Sequence, residues 1–430
     1  MRARVGFGIF AEDRRRRANP RLLRLPLPLW YEPRRMLPYA RPSITDAEIA
    51  EVEACLRSGW LATGPRAGRF EQLLATRLGV RHALGASTGT AALHLAVLAC
   101  GVKPGDEVIT TPMTWVSTAN VLLHAGAVPV FADIDPATLN LDPARVAEMI
   151  GPRTKAILPV HFAGLPCDED PLLELARTHH LALVEDAAHA LGATYKGRAI
   201  GVIADATMFS FHPAKNLTTG EGGAVSTDSD EIAERVKLLR FHGIAQTPES
   251  RFGGRGPVAY DVVEAGFKYN FSDIQAALGI HQLARLDAMN DRRAALAAAY
   301  RERLAPVPHV AALGDAPYEY RHAWHILVVS IEPDALTIGR DEVIGLLRAA
   351  GIGAGLHFVP LHLQTLYRPM AEASRLPVAT EADRRILTLP LFPEMENADV
   401  DRVVDALAGI LRDHARSGAA RPAQGAAARP

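Results

Sequence analysis

The most reactive arrangement in the sequence is a lysine placed between a serine and a glycine-rich turn. Lys215 lies five residues after Ser210 and shortly before the run 220–223, and an apolar stretch over 206–211 precedes it. Such a lysine would lie at the end of a buried strand, where loss of solvent lowers its pKa and makes the amine nucleophilic. The pattern indicates a Schiff-base lysine, although a surface lysine near glycines is the commoner interpretation of this segment alone.

Two acids stand at the end of another buried segment. Glu185 and Asp186 follow the apolar run 181–184, and His189 comes three residues later. Ligands of open α/β sheets bind beyond the carboxyl ends of the strands. A carboxylate there can keep the ring nitrogen of pyridoxal phosphate protonated. The alternative is that both acids cap a following helix.

Two further segments are suited to the rest of such a cofactor. Residues 85–91 form a turn of small residues that opens an apolar helix, and the free N–H groups of such a turn bind phosphate. Trp115 follows a predicted strand and could stack on a flat heteroaromatic ring. An ordinary Ser/Thr cap and a core tryptophan are the alternatives.

These segments, in this order, resemble the DegT/DnrJ/EryC1/StrS family over residues 37–412, with the motif Ser-Phe-His-x-x-Lys-x-x-Thr as its centre. The resemblance implies a fold-type I transferase with pyridoxal 5'-phosphate as cofactor. It implies amino transfer from L-glutamate to the 4-keto carbon of a nucleotide-linked sugar, with 2-oxoglutarate as co-product. The expected acceptor is a UDP-4-keto-pentose, giving UDP-4-amino-4-deoxy-L-arabinose for lipid A modification. The alternative is another nucleotide 4-keto-6-deoxyhexose of polysaccharide or antibiotic sugar synthesis.

The resemblance also implies roles for single residues. Lys215 is expected to be the Schiff-base residue and proton shuttle, Asp186 the partner of the ring nitrogen, and His189 a neighbour of the cofactor ring. Trp115 is the expected stacking platform. The expected phosphate ligands within one subunit are Thr90, Ala91 and Ser210. Asn270 of the partner subunit is expected to reach the same phosphate, which implies a homodimer with shared active sites. The expected substrate contacts are Arg255, Lys268, His325 and His357, although either histidine could instead be structural.

Composition excludes several other classes of protein. The net charge is −1 and 48% of residues are hydrophobic, so nothing favours a nucleic-acid or membrane partner. Three widely spaced cysteines without a C-x-x-C pair fit a reducing cytoplasm and argue against disulfides or structural zinc. A zinc hydrolase is disfavoured because the sixteen histidines include no H-E-x-x-H. A cofactor-binding regulator without activity is a remote alternative.

Strand-like and helical segments alternate along the chain, which predicts a mostly parallel sheet with helices on both faces and a smaller α+β domain after it. The expected organisation is a disordered basic extension over 1–35, a large cofactor domain over 36–285, a small domain over 286–415 and a disordered tail over 416–430. Predicted strands cover 108–111, 128–133, 156–160, 181–186, 206–211 and 325–331. Predicted helices cover 46–58, 69–78, 90–99, 117–125, 287–304, 340–350 and 397–412.

Overall fold

The computed structural model of the protein describes residues 36–245 and 260–416, and from Leu37 onward they belong to one compact unit. The helices of these residues are α1 Asp46–Ser58, α2 Pro65–Leu78, α3 Gly89–Ala99, α4 Ser117–His124, α5 Pro143–Met149, α6 Glu169–His179, α7 Asp230–Leu239, α8 Asp273–Leu304, α9 Arg340–Ala349, α10 Pro377–Arg385 and α11 Asn397–Asp413. The strands are β1 His82–Ala86, β2 Glu107–Thr110, β3 Val128–Phe131, β4 Thr154–Leu158, β5 Ala182–Asp186, β6 Thr194–Tyr195, β7 Arg198–Ala199, β8 Ala206–Ser210, β9 Gly223–Thr227, β10 Val310–Ala312, β11 Tyr320–Arg321, β12 Leu327–Ile331 and β13 Ile386–Leu389.

The largest sheet has seven strands in the order β1-β9-β8-β5-β4-β2-β3. Pairing is parallel from β8 to β3, and β9 runs antiparallel to both of its neighbours. The predicted mostly parallel sheet is therefore confirmed. Strand β1 runs in the same direction as β8, so β1, β2, β4, β5 and β8 all end at one edge.

Both faces of this sheet are covered by helices, and for that reason its strands are continuous apolar runs. Consecutive residues of β5 separate into two cores, with Leu183 in one and Val184 in the other. The same alternation puts Ile157 of β4 with Leu183 and Leu158 with Val184. Successive side chains along a strand face opposite sides of the sheet. The side chains of Glu185 and Asp186, the last two residues of β5, therefore lie on opposite faces.

A second sheet, β10-β12-β13, is antiparallel and lies later in the chain. Its inner face packs in one hydrophobic core with α9, α11 and the second half of α8. A small sheet of β11, β6 and β7 joins the later part of the chain to the earlier part. The predicted division near residue 285 stays a prediction, because α8 runs unbroken through it.

Helix α8 begins fourteen residues earlier than the predicted start at residue 287. Ser272 caps it with an interaction in which the Ser272 hydroxyl and the Gln275 side chain bond reciprocally to backbone N–H groups. Such a reciprocal cap satisfies two N–H groups that a helix start leaves open. Among the described residues, no helix combines the length and the apolar character that a membrane crossing requires.

Candidate active site

A cavity of about 500 Å³ opens at the edge where the parallel strands end. The turn after β1, the loop after β2, the end of β5 and the segment after β8 all contribute to its wall. The predicted site residues that line it are Thr90, Trp115, Asp186, His189, Ser210, Lys215, His325 and His357. The fold thus brings together residues that are separated by most of the sequence.

Lys215 lies in the turn between β8 and β9 and is half-buried. Its Nζ is 3.4 Å from Nε2 of His325. Burial lowers the pKa of Lys215 to about 8, and the negative charge of Asp186 opposes that effect. At pH 7 about a tenth of the amine is therefore neutral, far more than for an ordinary lysine, and a nucleophile or proton carrier needs this form.

Asp186 ends β5 and is 4% exposed. Its Oδ2 accepts a 2.8 Å hydrogen bond from the Thr118 hydroxyl, and its Oδ1 accepts one of 3.1 Å from the Ala188 N–H. Burial raises the pKa of Asp186, while these two donors and the charge of Lys215 lower it. A cationic ring nitrogen in the cavity would add a counter-charge and favour the carboxylate.

Three histidines surround Lys215, and all carry depressed pKa values. His189 and His325 are buried with ring centroids 4.3 Å apart, and their Nδ1 atoms have no hydrogen-bond partner among the described residues. Burial and the charge of Lys215 hold the pKa of both well below the usual value, and lower that of His357 to about 4. At neutral pH the cavity therefore presents uncharged imidazoles.

The start of α3 leaves no room for a side chain at Gly89, nor does the start of β9 at Gly223. A Cβ on Gly89 would lie 2.8 Å from Cβ of Ser210, and one on Gly223 would lie 2.7 Å from Cα of Gly89. Thr88 caps α3 by accepting a 3.0 Å hydrogen bond from the Ala91 N–H. The remaining N–H groups at this helix start, with the Ser210 hydroxyl, form a cradle for an anion.

Trp115 is 59% exposed, so it is not a core residue in this chain. Its ring lies 6.0 Å from that of Phe358, which also packs against His189. Tyr39 adds a further aromatic ring, 5.7 Å from His357. Sequence reasoning missed Tyr39, Phe358 and Thr118. Of these three, only Thr118 could have been found from the sequence, because it lies three residues after the predicted site residue Trp115.

Several predicted site residues are not among those that line the cavity. The Ala91 N–H is engaged by Thr88, and Asn270 donates a 2.6 Å hydrogen bond from Nδ2 to the Thr63 hydroxyl of its own chain. Lys268 Nζ lies over the ring of Phe241, 4.5 Å from the centroid. Arg255 lies outside the described residues.

This geometry agrees with the comparison with known protein families. The model of the DegT/DnrJ/EryC1/StrS aminotransferase family matches residues 42–408. The chain belongs to this family. The spore coat polysaccharide biosynthesis protein SpsC of Bacillus subtilis is 44% identical over 382 residues, which is 87% of this chain and 97% of that protein.

Solved structures show the same fold. Spr1654 of Streptococcus pneumoniae, assigned as a sugar aminotransferase and solved in its PLP form, has a TM-score of 0.80 at 31% identity. That match covers 88% of this chain and 99% of the other. DesI, solved in the presence of its TDP-sugar product, has a TM-score of 0.78 at 36% identity and covers 87% of this chain and 92% of its own. The predicted fold-type I architecture is confirmed.

Pyridoxal phosphate is the cofactor of this family, and the residues of the cavity fit it. The amine of Lys215 would suit its aldehyde, the buried carboxylate of Asp186 its ring nitrogen, and the open face of Trp115 its ring plane. The cradle at Gly89, which a single Cβ would fill, suits its phosphate. The unpartnered Nδ1 of His189 is a further buried polar atom beside the cavity.

Proposed function

We propose that the protein transfers the amino group of L-glutamate to the 4-keto carbon of a nucleotide-linked sugar. The observation that supports this most is the pairing of Lys215, whose pKa is about 8, with the buried Asp186 in one cavity. The family membership supports the reaction class, and the DesI relative, solved in the presence of its TDP-sugar product, supports the substrate class.

Each cavity residue then has a defined task. When bound, the cofactor supplies the electron sink for amino transfer. Lys215 moves the proton between the substrate carbon and the cofactor, because its neutral amine can accept that proton and its ammonium can return it. Asp186 holds the ring nitrogen in its protonated form. Trp115 fixes the plane of the ring, and Thr90 and Ser210 donate to the phosphate.

The sugar is the finer part of the proposal. The neutral side chains of His325 and His357 offer donors and acceptors for hydroxyl and carbonyl oxygens without adding charge. A UDP-4-keto-pentose remains our proposed acceptor. A TDP-4-keto-6-deoxyhexose is the second candidate, because the DesI relative holds a TDP-sugar product. Arg255 and Lys268 remain the proposed contacts of the diphosphate.

A screen of nucleotide 4-keto sugars with L-glutamate tests this function directly. The purified protein, loaded with pyridoxal phosphate, is expected to give an amino sugar nucleotide of the matching mass together with 2-oxoglutarate. Lys196→Ala is the matched control for Lys215→Ala, because Lys196 lies at the surface, where its amine contacts Asp170 and the ring of Tyr195. Cofactor absorbance without turnover on any sugar would favour a regulator instead.

We also propose a homodimer in which Asn270 of the partner subunit reaches the phosphate. Asn270 stands near the start of α8 and bridges to Ala86, the last residue of β1, which keeps it close to the edge that bears the cavity. Mixing Lys215→Ala subunits with Asn270→Ala subunits is expected to restore about one intact site per mixed dimer. Mixed dimers that form without regaining activity would show that Asn270 serves its own subunit.

A further inference from the structure

A sealed group of titratable side chains lies at the ends of β4 and β5, on the face opposite the cavity. His161, Glu169 and Glu185 are each 0% exposed, and so is Cys167 beside them. Glu185 directly precedes Asp186 in β5, and alternation along the strand turns the two carboxyl groups to opposite faces. The amino-transfer roles described above use none of these side chains.

The hydrogen bonds define which atoms carry protons. The Cys167 N–H donates to Nδ1 of His161 at 3.0 Å, so the ring proton of a neutral His161 is on Nε2. That Nε2 lies 3.7 Å from Oε2 of Glu185. The Thr207 hydroxyl donates a hydrogen bond of 2.6 Å to this Oε2. Glu185 is thus the carboxyl group toward which donors point.

Glu169, unlike Glu185, has no hydrogen-bond donor near its carboxyl group among the described residues. Both of its oxygens are buried without a donor among the described residues, and Oε1 of Glu185 also lacks one. The nearest imidazole atom, Nδ1 of His161 at 3.5 Å, already accepts the Cys167 N–H and has no proton to give. A buried carboxylate without donors is strongly disfavoured. A proton on Glu169, donated to Glu185, would satisfy both side chains, and both carboxyl groups lie against the same His161 imidazole.

We propose that Glu169 and Glu185 share one proton and that this pair, with His161, positions Asp186. The link to Asp186 is through the backbone. The His161 N–H donates to the carbonyl oxygen of Asp186 at 3.2 Å, and the Asp186 N–H donates to the carbonyl oxygen of Pro159 at 2.9 Å. The end of β4 therefore holds Asp186 on both sides, and the His161 side chain anchors that end to the pair.

The electrostatics of the pair agree with this assignment. Burial and the negative charge of Glu185 raise the pKa of Glu169 well above its usual value, with a smaller contribution from Asp168 and an opposing one from Arg198. Burial also opposes ionisation of Glu185, yet polar contacts with neighbouring groups, His161 first, leave its pKa below the usual value. Glu169 is the protonated partner and Glu185 the ionised one.

A metal ion is the competing occupant, since ligand atoms of His161, Cys167 and Glu169 lie within 4.8 Å of one another. Binding would require Nδ1 of His161 to leave the Cys167 N–H. It would also require the Cys167 thiol to leave the carbonyl oxygen of Val160, to which it donates at 3.2 Å. Both groups already have partners, which favours the shared proton.

The first test measures the proton without turnover. Infrared difference spectra of the protein freed of cofactor are expected to show a buried protonated carboxyl group at neutral pH. Glu169→Gln should remove this band, and Asp170→Asn should keep it, because Asp170 is the exposed neighbour on the same helix. Absence of the band from the wild type, or one bound metal ion per chain by elemental analysis, would overturn the shared proton.

The second test measures positioning, and it rests on the proposed function because it takes Asp186 as the partner of the ring nitrogen. Glu169→Gln keeps a donor for Glu185, so affinity for pyridoxal phosphate should change by no more than about twofold. Glu169→Ala leaves Glu185 without that donor, and the affinity is expected to fall about tenfold. Equal affinities in these two variants would overturn the positioning role. The infrared band does not depend on amino transfer, so it remains informative if the proposed function fails.

The pH dependence of folding separates the shared proton from a packing role. A carboxyl group with a raised pKa in the folded state loses stabilisation as pH rises from its usual pKa to the raised one. Relative to Glu169→Gln, the wild type is therefore expected to lose over this range the stabilisation due to one proton. Glu169→Gln should remove that part of the slope, and an unchanged slope would overturn the assignment of the proton to Glu169.

Discussion

Glu185 and Asp186 are neighbours in β5, both are buried, and they have opposite surroundings. Asp186 faces an open cavity with the amine of Lys215 in it. Glu185 faces a sealed group of His161, Glu169 and Thr207, where every stabilising partner is a fixed part of the fold. Only the first environment can change its charge when a ligand enters.

The difference shows that the end of one strand can hold a carboxyl group that faces a ligand cavity next to one that only stabilises the backbone. A charge that acts on a ligand needs access, and Asp186 has two fixed donors among the described residues and a side that faces the cavity. A charge that only holds the backbone is best sealed. Substitutions on the cavity side should change the reaction, and those on the sealed side should change stability and affinity.

The largest effect is expected on the cavity side, from Lys215→Ala. Loss of the amine removes both the covalent attachment of the cofactor and the proton carrier. Activity should fall by more than about 10³-fold, and the absorbance of the lysine-bound cofactor should disappear, while the melting temperature stays near that of the wild type. Steady-state rates and absorbance spectra check this, and a Lys215→Ala protein with wild-type turnover would refute the assignment.

Asp186→Asn should have the next largest effect. An amide cannot hold the ring nitrogen protonated, so kcat is expected to fall by about 10²-fold while the cofactor still binds. Asp170→Asn, at a surface ion pair, serves as the control. Turnover of Asp186→Asn equal to that of the control would transfer the role to another residue.

The pH dependence of cofactor attachment tests whether the charge of Asp186 acts on Lys215 across the cavity. With the pKa of Lys215 at about 8, only the neutral fraction reacts. The rate of attachment to the cofactor-free protein should rise about tenfold from pH 7 to pH 9 and then level off. Because the charge of Asp186 raises the pKa of Lys215, Asp186→Asn should move this curve to lower pH. A curve that Asp186→Asn leaves unmoved would argue against their electrostatic contact.

The smallest effect is expected from Thr118→Val, which removes one hydrogen bond to Asp186 and keeps the size of the side chain. The pKa of Asp186 should rise, because a donor to its charged form is lost. A decrease of about five- to tenfold in kcat is expected, and Thr118→Ser should restore most of it. A Thr118→Val rate equal to that of the wild type would leave Asp186 independent of this hydroxyl.

The sequence predicted the elements whose ends are marked by nearby capping residues. Helix α1 was predicted with both of its observed bounds, because Thr45 and Glu48 cap its start and Gly59 ends it with a φ of 73°. Strand β1, five residues of small and mixed type, has no such signal and exists through its pairing with β9. The predicted start of α8 at residue 287 was wrong, because the reciprocal cap of Ser272 and Gln275 begins the helix at Asp273.

The same distinction applies to the site. Lys215, Asp186 and Trp115 follow predicted strands, so their common location at one edge follows from the parallel sheet. Tyr39 and Phe358 have no motif, since their place in the wall depends on how the second sheet packs. The tautomer of His161 could not be predicted at all, because it depends on one backbone N–H in the folded protein.

The wall of the cavity extends in sequence from Tyr39 to Phe358, and this has a consequence for synthesis on the ribosome. At ordinary rates of translation, Lys215 emerges on the order of ten seconds before Phe358. During that interval the amine lacks the surroundings that lower its pKa, so a smaller fraction of it is neutral and reactive toward aldehydes. Reaction of Lys215 with an aldehyde is therefore expected to be fastest only after the last part of the wall has folded.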